Sequence, residues 1–136
     1  MMPNEKANKG TPELTPFFMG SEFFPEMSCK LCVEITSTLS ERSFDKVTND
    51  QLRRASFSIM LNIAEGSSRF SNKDRKNFFV VARGSAFECV AIMEYLVETK
   101  EIGQDVFTDY EKKLEEISKM LFGLIRNLEL KETNQL

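Results

Sequence analysis

Two cysteines, Cys29 and Cys32, have the Cys-x-x-Cys spacing found in thiol redox motifs and in half of a zinc site. The redox interpretation requires a βαβ context that the sequence lacks, and a closed zinc site requires four ligands. The chain adds only the distant Cys89 and has no histidine. The spacing therefore indicates two small, partly buried residues on an amphipathic helix.

The other candidates for catalysis have little support. Because histidine is absent, the sequence excludes Ser-His-Asp and Cys-His catalysis and histidine-ligated metal sites. The neighbouring carboxylates Glu115 and Glu116 lie among lysines in the pattern of a solvated helix face, and the glycines do not form a phosphate-binding loop. We therefore predict a protein that is not an enzyme and uses no metal or cofactor.

Positive charge is concentrated in the middle of the chain. Residues 51–86 contain seven basic and two acidic residues, although the whole chain has a net charge of −3. Such a block attracts phosphates, so we consider a nucleic-acid interface, and the alternative is a set of solubilising charges and salt-bridge partners. The candidate contacts are Arg53, Arg54, Arg69, Lys73, Arg75 and Lys76. They fall at two ends of one helix, roughly 25 Å apart, so they form one surface only in an oligomer.

On the predicted second helix, the polar residues Ser58, Asn62 and Glu65 form a stripe beside the apolar stripe that extends from Leu52 to Phe70. Its spacings of four and three place the side chains on one line of a helix. The next helix offers complementary groups, with Arg83 as the preferred ion-pair partner of Glu65 and Gly84 small enough for close helix approach. Buried polar groups of this kind fix register or partner choice, so we predict a structural network. Its members are Ser58, Asn62, Glu65, Arg83, Ser85 and Glu88.

Helices must position these residues, because proline and glycine are scarce, at four and six in 136 residues. Apolar spacings of three and four predict helices over about 25–41, 49–67, 72–100 and 104–130, in a domain spanning 21–136 after a flexible N-terminal arm, 1–20. Thr48 with Gln51 has the form of a capping box, and Ser71 with Asp74 forms a second cap. The third helix has a predicted core seam that includes Phe78 and Ile92. Short connections predict an all-α, antiparallel, up-and-down four-helix bundle.

The second and third helices are too apolar for a bundle that stands alone. A helix that is hydrophobic most of the way round is buried most of the way round, so we predict a homo-oligomer. The candidate interface residues are Phe57, Met60, Leu61, Phe79, Phe87 and Val90. Charged residues within the apolar segment 78–96 argue against a membrane span. An odd number of cysteines and the lack of a secretory leader favour the cytoplasm.

Two blocks of the sequence together resemble a known signature. The first comprises Gln51, Arg54-Ala55, Ser58-Ile59, Asn62-Ile63-Ala64-Glu65-Gly66 and Arg69, and the second comprises Ala82-Arg83-Gly84-Ser85 with Glu88. They are similar to the signature of the four helix bundle protein family, also called 23S rRNA intervening sequence proteins, over about residues 25–130. The resemblance implies an antiparallel four-helix bundle that assembles as a ring-shaped homopentamer, with no established enzymatic activity. Members are encoded within intervening sequences inserted in bacterial 23S rRNA genes or elsewhere on the chromosome.

A related branch of this family indicates what such a bundle can bind. The accessory variability determinant of diversity-generating retroelements is similar in fold and binds nucleic acid and a reverse transcriptase through basic surfaces. That branch is strongly basic, whereas this chain is acidic overall. Two hypotheses follow: a cytoplasmic homopentamer that binds RNA, a ribonucleoprotein or a nucleic-acid-processing protein through its basic residues, or a protein-binding adaptor or structural oligomer with no nucleic-acid role.

Overall fold

The computed structural model of the protein describes residues 16–42 and 44–135. In these residues the chain forms four helices and no strand: α1 (Pro16–Glu41), α2 (Lys46–Ser68), α3 (Asn72–Glu98) and α4 (Gln104–Gln135). Each helix packs against the next in sequence, and α1 also contacts α4. The predicted all-α class with four helices is confirmed for the described part of the chain.

Side-chain caps fix the starts of α2 and α3. At α3, the Ser71 hydroxyl accepts a hydrogen bond from the backbone N–H of Asp74 at 3.1 Å, as predicted. At α2, the predicted capping box is wrong, because the N-cap is Asp45 and its carboxylate accepts the backbone N–H of Thr48 at 3.1 Å. The Thr48 hydroxyl donates to the same carboxylate, so Thr48 lies inside the helix. α2 therefore starts at Lys46.

α1 begins earlier than the sequence predicts, and Pro25 lies inside it. An internal proline removes one hydrogen bond from the helix but does not end this one. The Pro25 carbonyl accepts a hydrogen bond from the Ser28 hydroxyl at 3.1 Å. Of the predicted N-terminal arm, residues 1–15 lie outside the described residues, and residues 16–20 are helical. α4 in turn continues to Gln135, beyond its predicted end near residue 130.

The four helices enclose one apolar core. The seam that α3 contributes includes Ala82, Ser85, Cys89 and Leu96, as predicted, but has Phe79 and Met93 in place of Phe78 and Ile92. Phe79 and Met93 are buried, at 0% and 3% exposure, whereas Phe78 and Ile92 are only partly buried. A seam through Phe78 and Ile92 and a seam through Phe79 and Met93 both keep the spacing of three and four, so the spacing alone does not distinguish them. Phe79 is therefore a core residue, and its prediction as an interface residue is wrong for this reason.

Gly66 on α2 makes room for the Phe79 ring. A Cβ atom added at Gly66 would lie 2.6 Å from Cε1 and 2.8 Å from Cδ1 of that ring, well inside van der Waals contact. The predicted role of Gly84 in close helix approach is wrong, because a Cβ added there would meet no atom within 4 Å among the described residues. The close approach of α2 and α3 depends on Gly66.

Candidate nucleic-acid interface and polar network

The predicted polar network forms in part, between α2 and α3. The Ser85 hydroxyl donates to the Ser58 hydroxyl at 2.6 Å, and the Asn62 side-chain amide donates to that hydroxyl at 3.1 Å. The Asn62 amide also lies 2.8 Å from the Ser58 carbonyl oxygen. Ser85 is 6% exposed, and its hydroxyl also lies 3.1 Å from the Val81 carbonyl oxygen, so this buried polar group has partners on both helices. The network links the two helices at the level of residues 58 and 85.

The predicted ion pair between Glu65 and Arg83 does not form within the chain. Glu65 instead accepts a hydrogen bond from Arg69, the C-cap residue of the same helix, at 2.8 Å, and both side chains are about half exposed. An i,i+4 partner is available from helix geometry alone, which explains the preference. Glu88, the last predicted member of the network, is exposed on α3.

Arg83 lies in a surface groove of about 450 Å³ between α3 and α4. Its guanidinium carbon is 5.0 Å from the centre of the Phe87 ring and 5.3 Å from that of Phe122, which are cation–π distances. The Nε atom of Arg83 is buried and has no hydrogen-bond partner among the described residues. Phe87 and Phe122 are each about half exposed and form apolar parts of the wall, which also carries Glu111, Glu115 and Lys119 from α4.

Two of the predicted nucleic-acid contacts already have structural roles. Arg75 Nε donates to the Arg69 carbonyl at 2.7 Å, and its Nη2 atom lies 3.4 Å from the Ser67 carbonyl. These bonds satisfy carbonyls near the end of α2 and hold the turn to α3. Lys76 forms a partly buried ion pair with Glu132 of α4 at 3.2 Å.

The other four predicted contacts are exposed, in two separate groups. Arg53 and Arg54 lie in the first half of α2, whereas Arg69 is the C-cap of α2 and pairs with Glu65, and Lys73 lies in the first turn of α3. Along the helix axis, residues 53 and 69 are about 24 Å apart. Within one chain the structure therefore does not bring the two groups together.

The turn carries one residue that sequence reasoning missed. Phe70 was predicted to continue the apolar stripe of α2, yet it is 102% exposed, because α2 ends at Ser68 and the chain leaves the helix. Its neighbour Arg69 lies over the Phe78 ring at 4.8 Å. The signal available in the sequence was the Ser71 cap, which requires a non-helical residue immediately before α3.

The three cysteines do not converge. Cys29 is exposed, Cys32 and Cys89 are buried, and all three are free thiols. The Cys32 thiol lies 3.8 Å from the Ser56 hydroxyl, and burial raises its pKa. Burial raises the pKa of Cys89 to about 12, so its thiol stays protonated and unreactive at neutral pH.

The described residues contain neither a cluster of metal-ligating side chains nor a membrane-spanning helix. There, no group of histidine, cysteine, aspartate or glutamate side chains has the arrangement needed to hold a metal ion. None of the helices in that part of the chain is long and apolar enough to cross a bilayer.

The fold and the site define an all-α four-helix protein with a polar link between α2 and α3 and a basic turn between them. The sequence profile of the 23S rRNA-intervening sequence protein family matches residues 26–123. The chain belongs to this family. A search of curated protein sequences found no match.

A solved structure has the same fold. It is a protein of unknown function from the S23 ribosomal protein family of Bacteroides thetaiotaomicron VPI-5482, at 24% sequence identity and a TM-score of 0.72. The alignment covers 79% of this chain and 98% of that one. At this identity the likeness concerns the fold alone.

Proposed function

We propose that the protein is a cytoplasmic, non-enzymatic homo-oligomer that binds RNA through exposed basic residues of α2 and the turn after it. The observation that carries the proposal is the exposure of Arg53, Arg54, Arg69 and Lys73 on a chain that is otherwise acidic. Exposed cations attract phosphates, and RNA is a polyanion of phosphates. The three free thiols suit a reducing compartment.

Assembly is supported by exposed apolar residues on two different faces of the bundle. Phe57 and Leu61, at 41% and 57% exposure, lie one turn apart on α2. Phe87 and Phe122 flank the groove between α3 and α4 on another face. Contacts between unlike faces are heterologous, and they close into rings when the rotation between subunits allows it. The number five rests on the family resemblance.

The register of α2 and α3 indicates how the two faces meet. The bond between Ser58 and Ser85 places residue 58 of α2 level with residue 85 of α3. In a ring whose axis is parallel to the helices, every residue keeps its own height, and this would bring Phe57 and Leu61 of one copy level with Phe87 and Arg83 of the next. We propose this contact as the subunit interface.

A mixing experiment tests the interface. Phe57→Glu and Phe87→Glu each place a carboxylate on one face, so each variant alone should lose the ring in analytical ultracentrifugation. An equimolar mixture retains one intact pair of faces and should form a heterodimer. If the wild-type protein is monomeric at micromolar concentration, or if the mixture stays monomeric, the proposed interface is wrong.

A matched pair of triple variants tests RNA binding. Arg53→Gln/Arg54→Gln/Lys73→Gln removes three exposed cations inside the basic block. The control, Lys100→Gln/Lys112→Gln/Arg126→Gln, removes three exposed cations elsewhere and changes the net charge equally. In gel-shift titrations with a structured RNA, we expect the first variant to lose at least tenfold in affinity and the control to lose less than threefold. Equal losses would show that only net charge matters.

The second candidate function is a protein-binding adaptor or a structural ring. The groove that contains Arg83 favours it, because its half-exposed aromatic rings suit contact with another protein surface, either that of a partner or that of the next subunit. An intact ring that binds no RNA at low salt would select this candidate over the first.

A further inference from the structure

Phe70 is a large apolar residue that is fully exposed, at 102%. A single exposed apolar side chain is common on protein surfaces and by itself indicates nothing. What distinguishes Phe70 is its position among cations. Arg69, which is about half exposed and paired with Glu65, precedes it, and the exposed Lys73 follows three residues later, next to Asp74.

The backbone on both sides of Phe70 is held in place. Before it, the carbonyl of Arg69 accepts the 2.7 Å hydrogen bond from Arg75. After it, Ser71 caps α3 through the N–H of Asp74. The aromatic ring therefore projects from a turn whose backbone is held between two helices, so a ligand that covers the ring does not have to order the turn itself.

We propose that Phe70 is a stacking platform for an unpaired RNA base, with Arg69 and Lys73 contacting the adjacent phosphates. The inference rests on the proposed RNA-binding function and narrows the ligand to single-stranded RNA or an unpaired loop. Aromatic side chains beside basic ones bind single strands because every base has a π face that can stack. In a duplex those faces are already covered by neighbouring bases, so the site discriminates against double-stranded RNA.

A tryptophan introduced at position 70 would report stacking directly through its fluorescence. Since the chain contains no tryptophan, Phe70→Trp introduces a single indole at the proposed contact. We expect a 12-nucleotide oligouridylate to quench its fluorescence saturably, whereas a blunt RNA duplex of equal length does not. The control is Tyr95→Trp, which places the indole at another exposed aromatic position, on α3. Its fluorescence should not change on titration.

Binding measurements separate stacking from a general apolar contact. Phe70→Tyr should bind the oligouridylate as the wild type does, whereas Phe70→Ala and Phe70→Leu should lose about fivefold to a hundredfold, the range for one stacked base. The side chain is fully exposed, so the urea midpoints of these variants should match that of the wild type.

The outcomes distinguish this inference from the function on which it rests. If the wild type binds RNA but Phe70→Ala or Phe70→Leu binds equally well, or Phe70→Trp is not quenched, the platform is refuted and the basic interface stands. Equal quenching by the duplex also refutes it. If the wild type binds no RNA at low salt, the proposed function and this inference both fail.

Discussion

Adding one methyl group at Gly66 or at Gly84 should have opposite effects on stability. Both glycines lie inside helices, where replacement by alanine gains about 1 kcal/mol from helix propensity. At Gly84 the new Cβ meets nothing within 4 Å among the described residues, so that gain should appear in full. At Gly66 it would lie 2.6 Å from the buried Phe79 ring. Overpacking of a core costs about 1 to 3 kcal/mol, which offsets or exceeds the gain.

The difference between the two variants isolates the steric effect. Because the propensity gain cancels, Gly66→Ala should be about 1 to 3 kcal/mol less stable than Gly84→Ala. Urea unfolding followed by circular dichroism at 222 nm measures this difference, at one protein concentration because assembly contributes to stability. The double variant Gly66→Ala/Phe79→Leu should cost less than the sum of its parts, since the smaller side chain relieves the contact. If Gly66→Ala is as stable as Gly84→Ala, the close approach of α2 and α3 at this point is wrong.

Three further predictions concern single side chains. Ser85→Ala removes the donor to Ser58 and should cost about 1 kcal/mol in urea unfolding, and no change would mean that the bond contributes nothing. Hydrogen bonds from the hydroxyl and N–H of Thr48 lower the pKa of Asp45, so the cap stabilises the fold above the usual carboxyl pKa and loses this effect as pH falls through the lowered value. Asp45→Ala should therefore lower the thermal midpoint at pH 7, with a difference from wild type that narrows in acid. A difference that is constant from pH 7 to pH 2 would contradict this reasoning. Cys89 should resist iodoacetamide at pH 8 in the folded protein and react in urea, as counted by mass spectrometry, and rapid alkylation of the folded protein would contradict its burial.

Local signals in the sequence predicted the positions of the helices better than they predicted which side chains contact each other. The spacing of apolar residues identifies four helices, and the Ser71 cap fixes the start of α3. The same spacing cannot choose between Phe78 and Phe79, because both are apolar and adjacent. The deciding contact is the opening at Gly66, which only the packing of α2 against α3 reveals.

The polar residues illustrate a second limit. Sequence spacing places Ser58, Asn62 and Glu65 on one stripe, but it does not rank the partners of a carboxylate. Glu65 binds Arg69 through local helix geometry, and Arg83 lies over aromatic rings in a groove that forms only when α3 and α4 pack. Tertiary packing also decides which cations remain accessible, so composition alone could not separate the exposed Lys73 from the paired Lys76.

The central claim, binding of RNA by exposed basic residues, is tested most directly by the salt dependence of affinity. Fluorescence anisotropy of a labelled RNA hairpin with an unpaired loop can be measured from 50 to 200 mM salt. For the wild type, the logarithm of the association constant should fall linearly with the logarithm of salt concentration, because each phosphate contact releases counterions. The slope should become shallower in Arg53→Gln/Arg54→Gln/Lys73→Gln and stay unchanged in the matched control. No binding at 50 mM salt, or the same slope in both triple variants, would contradict the claim.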